Sequence, residues 1–331
     1  MAQALSSITV LVATYNRSEV LRKSLEALTT ADRDGIDCGF VIIDNNCTDN
    51  TEEVVRDFSN RLPVVLLKEP RPGKNCALNK ALRECSLKDV VVFIDDDISP
   101  AKDWLMQILA CTTRWPDVSV FGGRIDLLWP GSQPPDWVST GWIKDFAFCA
   151  HHYAKQEQLY QPPACPFGGN YWVRKSVFEK VKSFDETIGP KPTNRVMGSE
   201  TSFLRDLQQQ GTKMVYCPSA VVQHRILSKE CQTPALRRRG YTFGRGQIRI
   251  HGRHRQNLYL KNRALWRAAI LMDYCSTAIR YGLGVVQWNR RRKCELTVHA
   301  MVRFGRLRES LNHGLGKEKR GTATGASELR A

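Results

Sequence analysis

Residues 90–100 read VVVFIDDDISP, five apolar positions running straight into Asp95, Asp96 and Asp97. An unbroken run of β-branched and aromatic residues predicts a strand buried on both faces. Three adjacent carboxylates at its end repel one another, which costs stability unless a cation or a set of donors sits among them. Hard divalent ions such as Mg²⁺ and Mn²⁺ prefer carboxylate oxygens and commonly take only one or two from the protein. The competing expectation is a helix start: Ser99 and Pro100 could open the helix AKDWLMQIL, whose dipole favours nearby acids. Taken alone, the triplet fits that second reading better, so its surroundings decide.

Working outward, ITVLVA (8–13) precedes SEVLRKSLEAL, and GFVIID (39–44) precedes TEEVVRDF. LPVVLLKE (62–69) precedes NCALNKALREC, and VVVFID (90–95) precedes AKDWLMQILACTTRW. Repeated strand-then-helix order predicts an α/β fold with mostly parallel central strands flanked by helices. Val20, Leu21, Ser24, Leu25 and Leu28 share the buried face of the first helix, with Asn16 or Ser18 as its cap. In such sheets ligands bind beyond the carboxyl ends of the strands. Thr14, Tyr15 and Asn16 follow the first strand, Asp44, Asn45 and Asn46 the second, and the triplet the fourth. Three strands thus deliver polar residues to one rim, which makes the triplet a candidate site. RPGKNCALN (71–79) adds Lys74 at a helix start near that rim, where a cation and free N–H groups suit phosphate. Neither G-x-G-x-x-G nor G-x-x-x-x-G-K-[ST] follows the first strand, which argues against a dinucleotide site and a P-loop.

After VSVFGGRIDLLWP (118–130), the stretch from GSQPPDW to Pro166 is rich in proline and aromatics and is expected to be a long irregular excursion. Ser176 to Val181 reads as helical. GSETSFLRDLQQQG (198–211) reads as a helix closed by Gly211, and KMVYCPSAVVQHR (213–225) as strand, turn and strand ending at His224. From about residue 233 the chain is helical and basic. Leu265, Trp266, Ala269, Ile270 and Met272 form one apolar side, bordered by Arg263, Arg267 and Arg280. Packing on the core is the expectation for these helices, and an interfacial membrane contact the alternative. The window from Ala268 to Trp288 contains Asp273 and Arg280 and is too interrupted to span a bilayer.

Charge and cysteines bound the function. Of a net +16, residues 231–331 hold 22 Lys+Arg against 5 Asp+Glu, leaving 27 against 28 in residues 1–230. Such a block suits an anionic partner, whether a phosphate-rich substrate, an anionic membrane surface or nucleic acid, or else a plain solvated surface. Eleven singly spaced cysteines without metal-ligand spacing predict reduced thiols facing the cytosol. MAQALSSITV lacks signal-peptide features, so a cytoplasmic location is expected, with a peripheral position on the inner membrane face as an option. The expected division is a catalytic domain over 1–250, with halves meeting near 125, a basic helical extension over 251–319, and a disordered tail over 320–331.

The motifs LVATYNRSEVLRKSLEAL, VIIDNNCTDNTEEVV, RPGKNCALNKAL, VVFIDDDISPAKDWL, GGRIDLLWPGSQPPDW, FGGNYWVRKSVFEKVKSFDE and GSETSFLRDLQQQGTKMVYCPSAVVQHR resemble, in this order, the family-2 glycosyltransferases with the GT-A fold. The resemblance covers roughly residues 8–245. It implies that Thr14, Tyr15, Asp44 and Asn45 hold the nucleobase and ribose of a nucleoside diphosphate sugar. Many relatives carry a second Asp where Asn45 stands, which leaves the base open. The family's D-x-D maps onto Asp95 and Asp97, with Asp96 in the middle; its last carboxylate ligates Mg²⁺ or Mn²⁺ at the diphosphate and its first lies toward the ribose. Glu200 takes the place of the general base, which implies inversion at the anomeric carbon. Most relatives have Asp there, and Ser199 replaces a common Glu. His224 stands where a histidine touches the diphosphate or the metal. Gly168, Gly169 and Asn170 match a stretch contacting donor sugar and acceptor, with Trp137 and Trp172 as sugar-stacking or core residues.

The expected function is therefore metal-dependent transfer of a sugar to a glycan or lipid-linked acceptor in polysaccharide or cell-envelope synthesis. Two alternatives are nucleotidyl transfer, which lacks its glycine-rich loop here, and a non-catalytic polyanion or carbohydrate binder using RRRGYTFGRGQIRIHGRHR. The metal reading requires the triplet to lie at the tips of the first two strands and not to be consumed by ion pairs with arginines.

Overall fold

The computed structural model describes residues 7–131, 133–138, 141–254, 263–285 and 290–312. Strands β1 (Ser7–Thr14), β2 (Asp37–Asp44), β3 (Val64–Lys68) and β4 (Val90–Ile94) pair in parallel in the order β3-β2-β1-β4. All five residues of β4 are buried, as a strand covered on both faces requires. Side chains of β1 alternate between two cores. Ile8, Val10 and Val12 meet Leu21 and Leu25 of helix α1 (Ser18–Thr29), whereas Leu11 packs with Ala77 and Leu78 of α3 (Lys74–Glu84) on the other side. Helix α2 (Thr51–Asp57) follows β2. The register sets Thr14 beside Asp44 and Val12 beside Ile94, so the carboxyl ends of β1, β2 and β4 form one rim.

The acidic triplet is not a helix start. Ile98–Pro100 is a short strand, β5, and helix α4 begins only at Trp104 and ends at Arg114. The cap of α1 also differs: Arg17 occupies that position without a side-chain cap bond. Asn16 instead takes a left-handed φ of 49° and accepts from the Thr48 N–H at 2.7 Å, while the Ser18 N–H donates to Asp49 Oδ2 at 2.8 Å. The loop before α2 thereby does the capping.

The second half extends the sheet as β4-β8-β6-β9-β5, with β6 (Val120–Leu128), β7 (Gln158–Leu159), β8 (Tyr171–Arg174) and β9 (Met214–Arg225), and β7 pairs with β9 off this path. The excursion after residue 130 is not wholly irregular, for it holds helix α5 (Gly141–Phe148) as well as β7. Helices α6 (Val177–Lys180) and α7 (Ser199–Gln209) lie where the pattern predicts them. The expected strand-turn-strand before His224 is one continuous strand. A register shift against β6 between Gly123 and Arg124 absorbs the extra residues as a bulge, so no turn forms.

Three helices close the described chain: α8 (Thr233–His254), α9 (Arg263–Val285) and α10 (Arg290–Asn312). Helix α8 runs unbroken through residue 250, so the boundary drawn there falls inside an element. Helices α8 and α10 approach backbone to backbone: a Cβ on Gly244 would lie 1.9 Å from Val302 O, and one on Gly305 would lie 2.1 Å from Tyr241 O. Arg245 and Arg249 both turn to the fully buried Glu309 of α10. These arginines serve helix packing, which weakens the reading of this stretch as a phosphate-tracking segment. The side chains of Arg263, Leu265, Trp266, Ala269 and Arg280 lie outside the described residues, as does the 320–331 tail.

Candidate active site

Beyond the rim opens a cleft of about 430 Å³, lined by Thr14, Tyr15, Asn45, Lys74, the Asp triplet, Gly168, Gly169, Glu200 and His224 among others. The three aspartates, alike in sequence, are held differently. Asp96 is buried and accepts from Thr14 Oγ1 at 2.8 Å and from Arg17 at 2.7 Å, while Ser24 donates to its backbone carbonyl. Burial raises its pKa; Arg17 opposes this and Asp97 adds to it, leaving the carboxyl at about 7. Asp96, expected against the donor, is thus spent on fastening β4 to β1 and α1. Arg17 reaches on to Asp97 Oδ2 at 2.8 Å, so one guanidinium spans both acids. Arg17, which the sequence reading missed, therefore makes the kind of arginine ion pair that the metal reading required the triplet to avoid: it takes up Asp96 and one oxygen of Asp97 and leaves the other Asp97 oxygen clear.

That oxygen has a different partner. Asp97 Oδ1 is buried, makes no well-aligned hydrogen bond, and is ion-paired with His224 Nε2 at 3.4 Å. Pairing of β5 with β9 sets Ile98 opposite His224, which brings the histidine beside the triplet. His224 Nδ1 lies 2.6 Å from the Phe148 carbonyl, a contact that requires Nδ1–H to donate and leaves Nε2 facing Asp97. Burial works against a charged imidazole, but Asp97 outweighs it and raises the pKa to about 10; burial likewise opposes the Asp97 charge, and His224 then Arg17 hold its pKa low.

Asp95 points elsewhere. Lys74 Nζ donates to Asp95 Oδ1 at 2.6 Å and also pairs with Glu200 Oε1. Burial pushes the Glu200 pKa up, but the Lys74 ammonium more than offsets this and keeps the carboxylate below its usual range. The first turns of α3 and α7 meet because Asn75 accepts from Ser199 Oγ and donates to the Asp185 and Ile188 carbonyls. A Cβ on Gly168 would lie 2.5 Å from Glu200 Cδ, so only glycine leaves room for that carboxyl.

The remaining expected residues divide. Tyr15 is 39% exposed at the rim. Asn45 faces the cleft, yet its amide is bonded to the Glu69 and Arg71 carbonyls and the Gly73 N–H, which sets the start of α3. Asp44 accepts from the Cys47 N–H at 2.7 Å and, like Asn16, shapes the loop behind the cleft wall. Asn170 is fully buried and bonds Trp104 Nε1 and the Arg124 and Ala220 carbonyls, so its amide is occupied. Trp172 is fully buried, stacked on Phe121 with Nε1 donating to Thr112, and Trp137 packs with Val138 and Ile143. Neither indole offers a face to a sugar, and the core reading of both is the observed one. Lys191, Arg195, Arg238 and Arg239 also line the cleft; the basic run at 237–239 signalled an anionic partner but not this location.

The eleven cysteines form no disulfide among the described residues. Apart from the cleft, Cys111, Glu157 and Cys217 bring ligand atoms within 4.8 Å of one another, a proximity that sequence spacing did not reveal.

Residues 9–181 match Glycosyl transferase family 2. The chain belongs to that family. It is a glycosyltransferase, and the nucleotidyltransferase and non-catalytic readings fall away. It is 22% identical over 258 residues to Glycosyltransferase AglE of Haloferax volcanii, covering 76% of each chain. It is 24% identical over 226 residues to the Glucosyl-dolichyl phosphate glucuronosyltransferase of the same organism, covering 66% of this chain and 69% of that one. Among solved structures it resembles a mannosyltransferase from Pyrobaculum calidifontis in complex with GDP-Man and Mn²⁺, at a TM-score of 0.58 and 17% identity over 92% of this chain and 88% of that one. The structure of GalNAc-T7 with UDP, GalNAc and Mn²⁺ aligns at a TM-score of 0.53 and 16% identity, over 74% and 51% of the two chains. These likenesses establish the fold as GT-A.

Proposed function

We propose that this glycosyltransferase moves a sugar from a nucleoside diphosphate donor to a hydroxyl of a glycan or lipid-linked acceptor, with inversion at the anomeric carbon and with Mg²⁺ or Mn²⁺ at Asp97 and His224. The observation that carries the metal is the pairing of Asp97 Oδ1, buried and poorly hydrogen-bonded, with His224 Nε2 at 3.4 Å on a ring fixed from the other side, where an ion would take the place of the imidazolium proton. Carboxylate and imidazole suit such an ion, and the second contact of a ligating histidine is commonly a carbonyl. The two similar solved structures both contain Mn²⁺. When bound, the ion would act as a Lewis acid on the leaving diphosphate.

The chain's own groups do the rest. Thr14, Tyr15, Asp44 and Asn45, at the ends of β1 and β2, define the side for base and ribose, with Asp95 toward the ribose. Glu200 is the general base: held ionised by Lys74, it takes the proton from the acceptor hydroxyl as that oxygen attacks. Lys74, between Asp95 and Glu200, links the donor side of the cleft to the base and brings positive charge toward the diphosphate. Gly169, beside Asp95, lies on the sugar side. The setting is cytoplasmic, with the chain peripheral on the inner face of a membrane, a reading supported by the basic C-terminal third and the dolichyl-linked relative.

The test is a thermal-shift series with nucleoside diphosphates and Mn²⁺ or Mg²⁺. One nucleotide should stabilise the wild type only with metal, by about 2.7 kcal/mol at a hundredfold excess over its Kd. The shift should vanish in Asp97→Asn. A shift that persists with EDTA, or in that variant, would sink the metal assignment.

A further inference from the structure

Helix α9 is built inside out. Its one acidic residue, Asp273, faces α10 and pairs with Arg303 at 2.8 Å, with Arg306 at 3.7 Å from its other oxygen. Thr277 is buried on the same side, and Tyr274 meets the ring of Phe304. Three large apolar side chains point the other way: Leu271, Met272 and Ile279 are 48%, 65% and 62% exposed. With Ala268, Cys275 and Gly282 they form one stripe, about 20 Å long at 1.5 Å per residue. None of the exposed described residues on α9 is charged. A solvated helix normally shows the opposite polarity, and an exposed apolar strip of this kind marks a contact surface.

The net charge of the α9 and α10 sequence selects the partner, although Arg303 and Arg306 themselves face Asp273 on the other side of α9. Residues 263–312 carry ten Lys+Arg against three Asp+Glu, so two copies laid face to face would repel. An anionic lipid surface gains from the same charge. No described helix is long and apolar enough to cross a membrane, so the stripe suits a helix lying in the interface plane. We infer that the outward face of α9, centred on Leu271, Met272 and Ile279, docks the protein onto an anionic bilayer. This deepens, and rests on, the proposal of a peripheral position at a membrane; it does not depend on the assignment of the catalytic residues.

The experiment is flotation of the full chain with vesicles of phosphatidylcholine alone or mixed with phosphatidylglycerol, for the wild type and for the double variant Leu271→Glu, Ile279→Glu. The wild type should float with the anionic vesicles and release as salt rises. The variant should bind about tenfold more weakly or less, since each substitution removes one buried apolar side chain and adds a repelled charge. A polarity-sensitive fluorophore on Cys275, the exposed thiol of this stripe, should shift to the blue with anionic vesicles, and Cys275→Ser should abolish that signal. If the wild type floats and the variant floats equally, the membrane position stands and the α9 face is wrong. If the wild type does not float, both fail. Light scattering without vesicles gives the remaining outcome: a wild-type dimer that the variant splits overturns the inference in favour of a second copy.

Discussion

Substituting Gly168→Ala tests the assignment of Glu200 without touching its charge. The new Cβ would sit 2.5 Å from Glu200 Cδ and 2.8 Å from Oε1, where ordinary contacts begin at 3.4 Å. The carboxyl must therefore retreat by about 1 Å, and a shift of that size in a group that meets the reacting atom costs roughly a hundredfold in rate. That is about 2.7 kcal/mol of transition-state stabilisation. The atoms displaced are the free end of a flexible side chain, so the fold should absorb the change with little loss of melting temperature. The assay follows nucleoside diphosphate release from whichever nucleotide sugar stabilises the wild type, with acceptor present, beside a melt of the same sample. Nucleotide affinity should be unchanged, because Glu200 pairs with Lys74 and not with the rim residues of β1 and β2 assigned to the nucleobase. Wild-type turnover in a folded Gly168→Ala protein would refute the steric reasoning, and turnover in Glu200→Gln would refute the base itself.

Arg17→Met leaves two buried carboxylates without their shared partner and should cost about 3 kcal/mol of stability in urea melts, part of it restored by Mn²⁺. Gly244→Ala drives a methyl into the Val302 carbonyl and should destabilise by about 3 kcal/mol, loosening α8 from α10 while the strands keep their far-ultraviolet signal. Asn75→Ala removes the side-chain donor of the Ile188 carbonyl and the acceptor of Ser199 and should cost about 2 kcal/mol, with a fall in kcat because it loosens Glu200 from Lys74. Burial pushes the His151 pKa down from 6.5 to about 4, so the unfolded chain binds the proton first on acidification. This contribution to stability is complete above pH 6.5 and is lost as pH falls toward 4, with a slope approaching 1.4 kcal/mol per pH unit. Melts of His151→Gln across that range should show a shallower decline.

The parallel half of the sheet was legible because each of its strands carries its own signal. ITVLVA, GFVIID and VVVFID are apolar but for Thr9 and the closing Asp44 and Asp95, and each is followed by a helix with a one-sided face. The rim followed from strand order alone. What escaped was whatever depends on contact between distant segments. Arg17 sits in a loop beside residues read for the nucleobase, and nothing local distinguishes it from a surface arginine. Lys74 was read as a phosphate ligand at a helix start. Its link to Glu200 arises only because Asn75 and Ser199 join two helix starts from different halves of the chain. Asn170 and Trp172 lie in a motif whose glycines do face the cleft, yet β8 is packed on both faces and every residue from Asn170 to Val173 is buried, so neither side chain reaches the cleft.

The same contacts resolve the problem that the triplet poses. Three equal carboxylates at one strand end are unstable as a set but not as individuals, because each meets a different environment. Asp96 is bound to β1 and α1 on all sides and behaves as part of the scaffold. Asp95 shares an ammonium with Glu200 across the cleft, so the charge that steadies it also keeps the base ionised. Asp97 receives half of a guanidinium on one oxygen and, on the other, a histidine at 3.4 Å that makes no well-aligned hydrogen bond. The proposed ion would replace the imidazolium proton on that oxygen and supply a better-aligned partner, which is what sets Asp97 apart from its neighbours as the candidate ligand.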